Sequence, residues 1–310
     1  MVSRQRIDWP VILGPSEVGA NWRDDLAPSD WVALVQAFES LLASDETDAL
    51  LKRVITLALD VVGLERAGLY LYDRSSDMML GTWGTDLDRN VVDEHHAMFE
   101  AGEANRHVFE RAERGEAHWT VVENCPIIDQ REQQTRICGR GWVVCTPIRS
   151  TRGALGMLYN DAGLSEKPVE PSKQLRTVVL CAFTAALLDT PRHATRVAQI
   201  LHGTDMHPAV RRVVQLLAQN PTLGGKELAN HCGMSLSRLV RVFKAAMGTS
   251  LVDYRNRLRL ERFLMAVDGG GNNLLEAALT SGFGSYAQFH RVFRATYKRT
   301  PREFLQARGG

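Results

Sequence analysis

Arg241 and Arg291 stand fifty residues apart, and the residues around them repeat with them. Setting Ser235 on Ser285 places Leu239 on Phe289, Arg241 on Arg291, Val242 on Val292, Phe243 on Phe293 and Lys244 on Arg294. Further on, Ser250 meets Thr300 and Tyr254 meets Phe304. A guanidinium is a planar fork of N–H donors, matched to paired acceptors on a guanine edge or a phosphate. A lysine ammonium is a point charge suited to phosphate. The chemistry on offer is recognition of a polyanion with a patterned edge, by hydrogen bonding.

Helices must position these groups. Leu239, Val242 and Phe243 recur at i, i+3 and i+4, as do Phe289, Val292 and Phe293, which makes one buried stripe per helix. Ser235 and Ser285 are good N-caps. Upstream, Ala229 falls on Ala278 and Gly233 on Gly282 at an offset of 49, so the second copy has one extra turn residue, Gly284. The alanines let helices approach closely, the glycines suit a tight turn at positive φ, and Met234 and Phe283 are expected to plug the core beneath it. The outer face of the first helix carries Ser237, Arg238, Arg241 and Lys244. The second carries Tyr286, Ala287, Gln288, His290, Arg291 and Arg294. A short helix, a glycine turn and a capped helix with a basic outer face read as a helix-turn-helix, whose second helix enters the major groove.

Position then assigns roles. Arg241 and Arg291 are placed for bidentate contact with guanine, and Gln288 suits adenine. Ser237, Tyr286 and His290 are candidates for base or sugar-phosphate contact. Lys244 and Arg294, near the helix ends, are expected on phosphate. The alternative for either central arginine is a surface salt bridge with the other subdomain. Arg255, Arg257, Arg259 and Arg262, on a linker helix near 253–266, read as surface charges or phosphate contacts. Charge supports the polyanion. Residues 207–310 hold 16 Lys+Arg against 6 Asp+Glu, a net of +10, while 1–206 carry −9, although the whole chain is only +1.

The segments ELANHCGMSLSRLVRVFKAAMGTSL and EAALTSGFGSYAQFHRVFRATYKRTPREFL resemble the AraC/XylS family of bacterial transcription regulators, over roughly 207–307. The second copy has the family's G-F-x-S-x-x-x-F-x-R-x-F-[KR] at every fixed position. Lys298 stands where the family usually has Gly, and Ser250-Leu251 replaces Thr-Pro in the first copy. The resemblance implies two recognition helices on one DNA face, about one helical turn apart.

The front half reads differently. Helices are expected over 31–42, capped by Ser29 or Asp30, and over 45–62. Strands follow over 67–72 and 78–83, then helical or irregular sequence to about 115, and a strand at 117–122. Strands at 141–149 and 154–159 form a hairpin around Ser150–Gly153, and helices run from 171 to 188 and from about 191 to 201. This order makes an α+β domain with an antiparallel sheet flanked by helices. AGLYLYD and GWVVCTPIRSTRGALGMLYND resemble a GAF domain, the small-molecule sensor fold, over roughly 30–190. The pattern of cyclic-nucleotide-binding members is missing, so no ligand carries over. The expected organisation is an irregular segment at 1–28, a GAF-like sensor and dimerisation domain at 29–190, a helical linker at 191–206, and an all-α domain of two helix-turn-helix units at 207–310.

Tyr70, Trp83, Trp119 and Trp142 are candidates to line an effector pocket, with plain core packing as the alternative. Cys125 and Cys138 loosely resemble, in placement, the cysteines of GAF-type free methionine sulfoxide reductases. A thiol-based redox sensor or reductase is therefore the alternative function, set against inert buried thiols. His95, His96, His107 and His118 share that stretch, but their spacings match no standard ligand pattern, and no metal or cofactor is expected. Five cysteines without a C-x-x-C pair argue against a disulfide scaffold. No apolar run suits a signal peptide or a membrane span. The expectation is a cytoplasmic, non-enzymatic regulator; the GAF resemblance implies a homodimer through the apolar stripes of helices 31–62 and 171–201, and a front half that only dimerises is the alternative to sensing. Its partners are double-stranded DNA, an unidentified small-molecule effector and, for an activator, RNA polymerase.

Overall fold

The computed structural model describes residues 12–13, 27–131, 134–163, 165, 167–202, 207–268 and 273–306. The chain divides into two compact units: Met1–Glu132 with Cys138–Asp205, and Met206–Gly310 with Gln133–Ile137.

The first unit is an α+β domain with an antiparallel sheet, as expected of the front half. Its strands are β1 (Ile12–Leu13), β2 (Arg66–Asp73), β3 (Met78–Thr85), β4 (Val91–Asp93), β5 (Met98–Glu100), β6 (Thr120–Arg131), β7 (Gln134–Ser150) and β8 (Gly153–Asp161). The sheet order is β1-β6-β7-β8-β2-β3-β4, with β5 also on β3. The β7–β8 hairpin closes where the sequence places it, with Ser150 opposite Gly153 and Gly153 at φ 118°. Residues 84–115, read as helical or irregular, also hold β4 and β5, which are too short to show a period-two pattern. Apart from β1, the segment read as irregular at 1–28 lies outside the described residues as far as residue 26.

Alternation along β2 sorts two cores. Leu69 and Leu71 pack in one with α1 (Pro28–Leu42), α2 (Thr47–Asp60), α4 (Pro171–Leu188) and α5 (Pro191–His202). Tyr70 and Tyr72 pack in the other, with Phe109 of α3 (Gly102–Glu113), Cys145 and Met157. The start of α1 differs from expectation. Pro28 takes the first turn, Ala27 is the N-cap, and Asp30 accepts the Ala27 N–H at 3.1 Å instead of being the cap itself.

The second unit is all helical. It comprises α6 (Pro208–Gln219), α7 (Gly225–His231), α8 (Leu236–Met247), α9 (Leu251–Asp268), α10 (Leu274–Thr280), α11 (Tyr286–Tyr297) and α12 (Pro301–Gln306). The linker helix α9 serves both halves. Its Tyr254 meets Phe243 of α8 at 5.4 Å between ring centroids. Its Phe263 meets Phe289 of α11 at 4.3 Å.

The arginines of α9 are not surface charges. Arg255 Nη1 donates to Leu223 O at 3.0 Å, and Arg262 Nη2 to Ala218 O at 2.7 Å. Arg259, 5% exposed, donates from Nε to Pro221 O at 2.8 Å and from Nη2 to Thr222 O at 3.4 Å. The last carbonyls of a helix lack intrahelical partners, and these guanidiniums supply them for α6 and the turn after it. Arg257 pairs with Glu261 at 3.5 Å and lies over the Tyr254 ring at 4.6 Å.

Candidate nucleic-acid interface

Helices α8 and α11 are begun by the same local devices. In the first copy α7 ends, Gly233 turns at φ 63°, and Met234 N donates back to Ala229 O at 3.1 Å. Ser235 Oγ then accepts the Arg238 N–H at 3.3 Å and starts α8. In the second copy α10 ends, Gly282 turns at φ 98°, and Phe283 N donates to Ala278 O at 3.2 Å. Ser285 Oγ accepts the Gln288 N–H at 3.2 Å and starts α11. Ala229 and Ala278 are buried, as the close approach requires. Phe283 fills the core under its turn, but Met234 is only half-buried.

The stripes are seated as the spacing demands. Leu239, Phe243, Phe289 and Phe293 are fully buried, and Val242 and Val292 are half-buried. The outer faces are open: Ser237, Arg238, Arg241 and Lys244 are exposed on α8, and Tyr286, Ala287, Arg291 and Arg294 on α11. Among the described residues Arg238, Arg241, Lys244 and Arg291 pair with no carboxylate. Arg294 adds to the positive field that holds the Glu303 carboxyl down, behind that carboxyl's hydrogen bonds from Thr300. Gln288 and His290 are half-buried. Gln288 Oε1 accepts the Gly284 N–H at 3.0 Å, so its amide is held against the helix start. His290 lies 6.2 Å from Tyr286, ring to ring. α8 also exposes an apolar pair, Leu236 and Val240, which no polar or basic pattern marks in the sequence. After α8 and α11, Gly248 and Lys298 occupy matching left-handed positions, at φ 65° and 58°.

A family model described as "Helix-turn-helix domain" matches residues 228–307. "Probable transcription factor PqrA" of Proteus vulgaris is 32% identical over 90 residues, which are 29% of this chain and 74% of that protein. The chain belongs to the AraC-type helix-turn-helix transcription regulators. "HTH-type transcriptional regulator ArgR" of Pseudomonas aeruginosa is 31% identical over 107 residues, 34% of this chain and 32% of that one. The GAF domain of an Acinetobacter phosphoenolpyruvate-protein phosphotransferase is similar in structure, at 15% identity and a TM-score of 0.40. That match covers 56% of this chain and 98% of the domain.

In the front unit of this AraC-type regulator, the four aromatic candidates do not converge. Tyr70 packs with Phe99 and Tyr159 on one face of the sheet. Trp83 packs against the core of the other face, its Nε1 donating to Asp48 at 2.9 Å and Lys52 lying over its ring. Trp119 is buried. Trp142 donates from Nε1 to Lys167 O at 2.8 Å and borders a narrow crevice with Asn160 and Gln174. Cys125 and Cys138 are half-buried on β6 and β7, and burial pushes the Cys125 thiol up to about 11. Among the described residues no three His, Cys, Asp or Glu side chains gather to hold a metal. No described helix is long and apolar enough to cross a membrane.

The polar centre of this unit is elsewhere. Glu94, 4% exposed, lies over Gly68 and Gly84, where an added Cβ would collide with its carboxyl at Gly84. Tyr70 Oη donates to Glu94 Oε2 at 2.8 Å. Burial drives the Glu94 pKa up to about 7; the Tyr70 hydrogen bond and the Arg66 charge pull it down, and Asp161 and Asp129 push it up. Arg66 itself is spent on Asp161 at 3.1 Å and on the carbonyl of Thr85 at 3.2 Å.

Proposed function

We propose that α8 and α11 enter successive major-groove segments on one face of a duplex. Arg241 and Arg291 then read guanine, Lys244 and Arg294 hold phosphate, and Arg238, Ser237, Tyr286 and His290 flank them. Ala287 allows close approach. Gln288, engaged at its own helix start, acts first as a cap and keeps its amide N–H donors for the groove. One observation carries this reading: two helices begun by the same turn and cap present open faces whose central arginines have no carboxylate partner among the described residues, in a segment of net charge +10.

The front unit (29–190) is proposed to receive a small-molecule effector and to pair two copies through its helices, joined by 191–206 to the DNA-binding residues 207–310. Exposed Trp31, Val32, Val35 and Leu42 on α1 support the pairing. A non-enzymatic, cytoplasmic regulator that engages RNA polymerase as an activator completes the proposal. The raised Cys125 pKa counts against thiol chemistry there, since the thiolate is the reactive form.

The test is capture of fragmented host DNA by the full-length protein at moderate salt, followed by sequencing. Recovered fragments should share two elements about one helical turn apart. Uniform retention that vanishes with salt would refute base reading.

A further inference from the structure

The first reading helix carries two apolar side chains that its core does not use. Leu239, Phe243 and Met247 form the buried stripe of α8, each at most 1% exposed. Leu236 and Val240, one turn apart, are each 37% exposed beside Ser237 and Arg241. In the second reading helix the matching positions hold Tyr286 and His290. The same scaffold folds with either pair, so packing does not dictate the choice. Leu236 leans on the start of α7, its Cδ1 being 3.0 Å from where a Cβ on Gly225 would sit. Val240 lies one turn further along, next to Arg241 in the chain and one turn before the phosphate-directed Lys244.

Apolar surface held in water costs free energy that burial against an apolar partner recovers. The basic neighbours select the partner, because they bring this face to a polyanion. The major-groove edge of DNA offers one apolar group, the C5-methyl of thymine. We infer that α8 reads a thymine next to a guanine: Val240, backed by Leu236, packs on the thymine methyl while Arg241 donates to the guanine. α11 has no aliphatic side chain at either position, so the two elements bound by one chain differ in sequence. This rests on the orientation of α8 proposed above.

The experiment uses the full-length protein and a captured site in which each thymine in turn becomes deoxyuridine, which lacks only the methyl. The element under α8 is the one whose guanine preference is lost in Arg241→Ala. Within it, one or two substitutions should weaken binding by about fourfold, the weight of one buried methyl group. Val240→Ala should bind thymine and deoxyuridine sites alike and keep the guanine preference. Val240→Ile, still aliphatic, should keep the sensitivity. The inference is overturned if no thymine in that element responds, or if Val240→Ala responds as strongly as the wild type. Equal binding of unmodified site and random DNA would instead remove the orientation of α8 and this inference together, and it is recognised before any base is changed.

Discussion

Replacing Glu94 by Gln should change how the stability of the front unit depends on pH. The unfolded chain releases the Glu94 proton near its ordinary 4.5 and the folded chain near 7. Between those values folding binds a proton, so stability falls as pH rises. Below 4.5 both states hold the proton and the full stability is present; above 7 both have released it and the loss is complete. At ~1.4 kcal/mol per pH unit, the gap is worth about 3 kcal/mol. For a domain of roughly 150–250 residues this is about 6–12 °C in melting temperature. Gln does not titrate, has the shape that fits over Gly68 and Gly84, and still offers an acceptor to Tyr70 Oη. Thermal unfolding of wild type and E94Q at pH 5 and 7.5 isolates the effect, since the difference between the proteins cancels other titrating groups. The two should melt within a few degrees of each other at about pH 5, and E94Q should melt higher at pH 7.5. The same difference at both pH values would refute burial as the cause.

Four further outcomes are expected. Arg241→Ala and Arg291→Ala should each remove roughly 1–3 kcal/mol of discrimination at one guanine, seen as a relaxed base in a selection experiment with unchanged circular dichroism. Lys244→Ala should weaken binding to all sequences and lower the slope of log K against log salt by about one, measured by fluorescence anisotropy. Arg259→Ala leaves the Pro221 and Thr222 carbonyls without their donor and should cost about 2–3 kcal/mol, read as faster amide exchange across α6 and α9. Lys298→Gly places at that left-handed position the residue its counterpart Gly248 already has, and should stabilise the second unit by about 0.5–1 kcal/mol in thermal melts.

Helices α8 and α11 are legible in the sequence because burial and repetition constrain them twice. Phe243 and Phe293 must be inside, so the arginines two residues before them must be outside, and the glycine turns and serine caps fix where each helix begins. The α9 arginines were not legible. Their charge is visible, but their partners are backbone carbonyls 32 to 44 residues upstream, and a carbonyl has no letter in a sequence. Glu94 hid in a polar stretch, and its only trace was the glycines on β2 and β3, which mark a close approach. Aromatic type alone marks the four pocket candidates, whereas strand alternation puts Tyr70 and Trp83 on opposite faces of the sheet.

α9 reaches both aromatic cores and is clamped along its length, so it acts as a caliper of fixed span. A residue inserted into it would turn the far jaw by about 100° and move it by about 1.5 Å. If α8 and α11 both dock on one duplex as proposed, DNA is the softer partner. A site whose two elements do not fit the jaws can be held only by bending the duplex, at about 1–6 kcal/mol for 40–90°. Base steps that kink easily between the elements would then raise affinity without touching any side chain, and a stiff A-tract there would lower it.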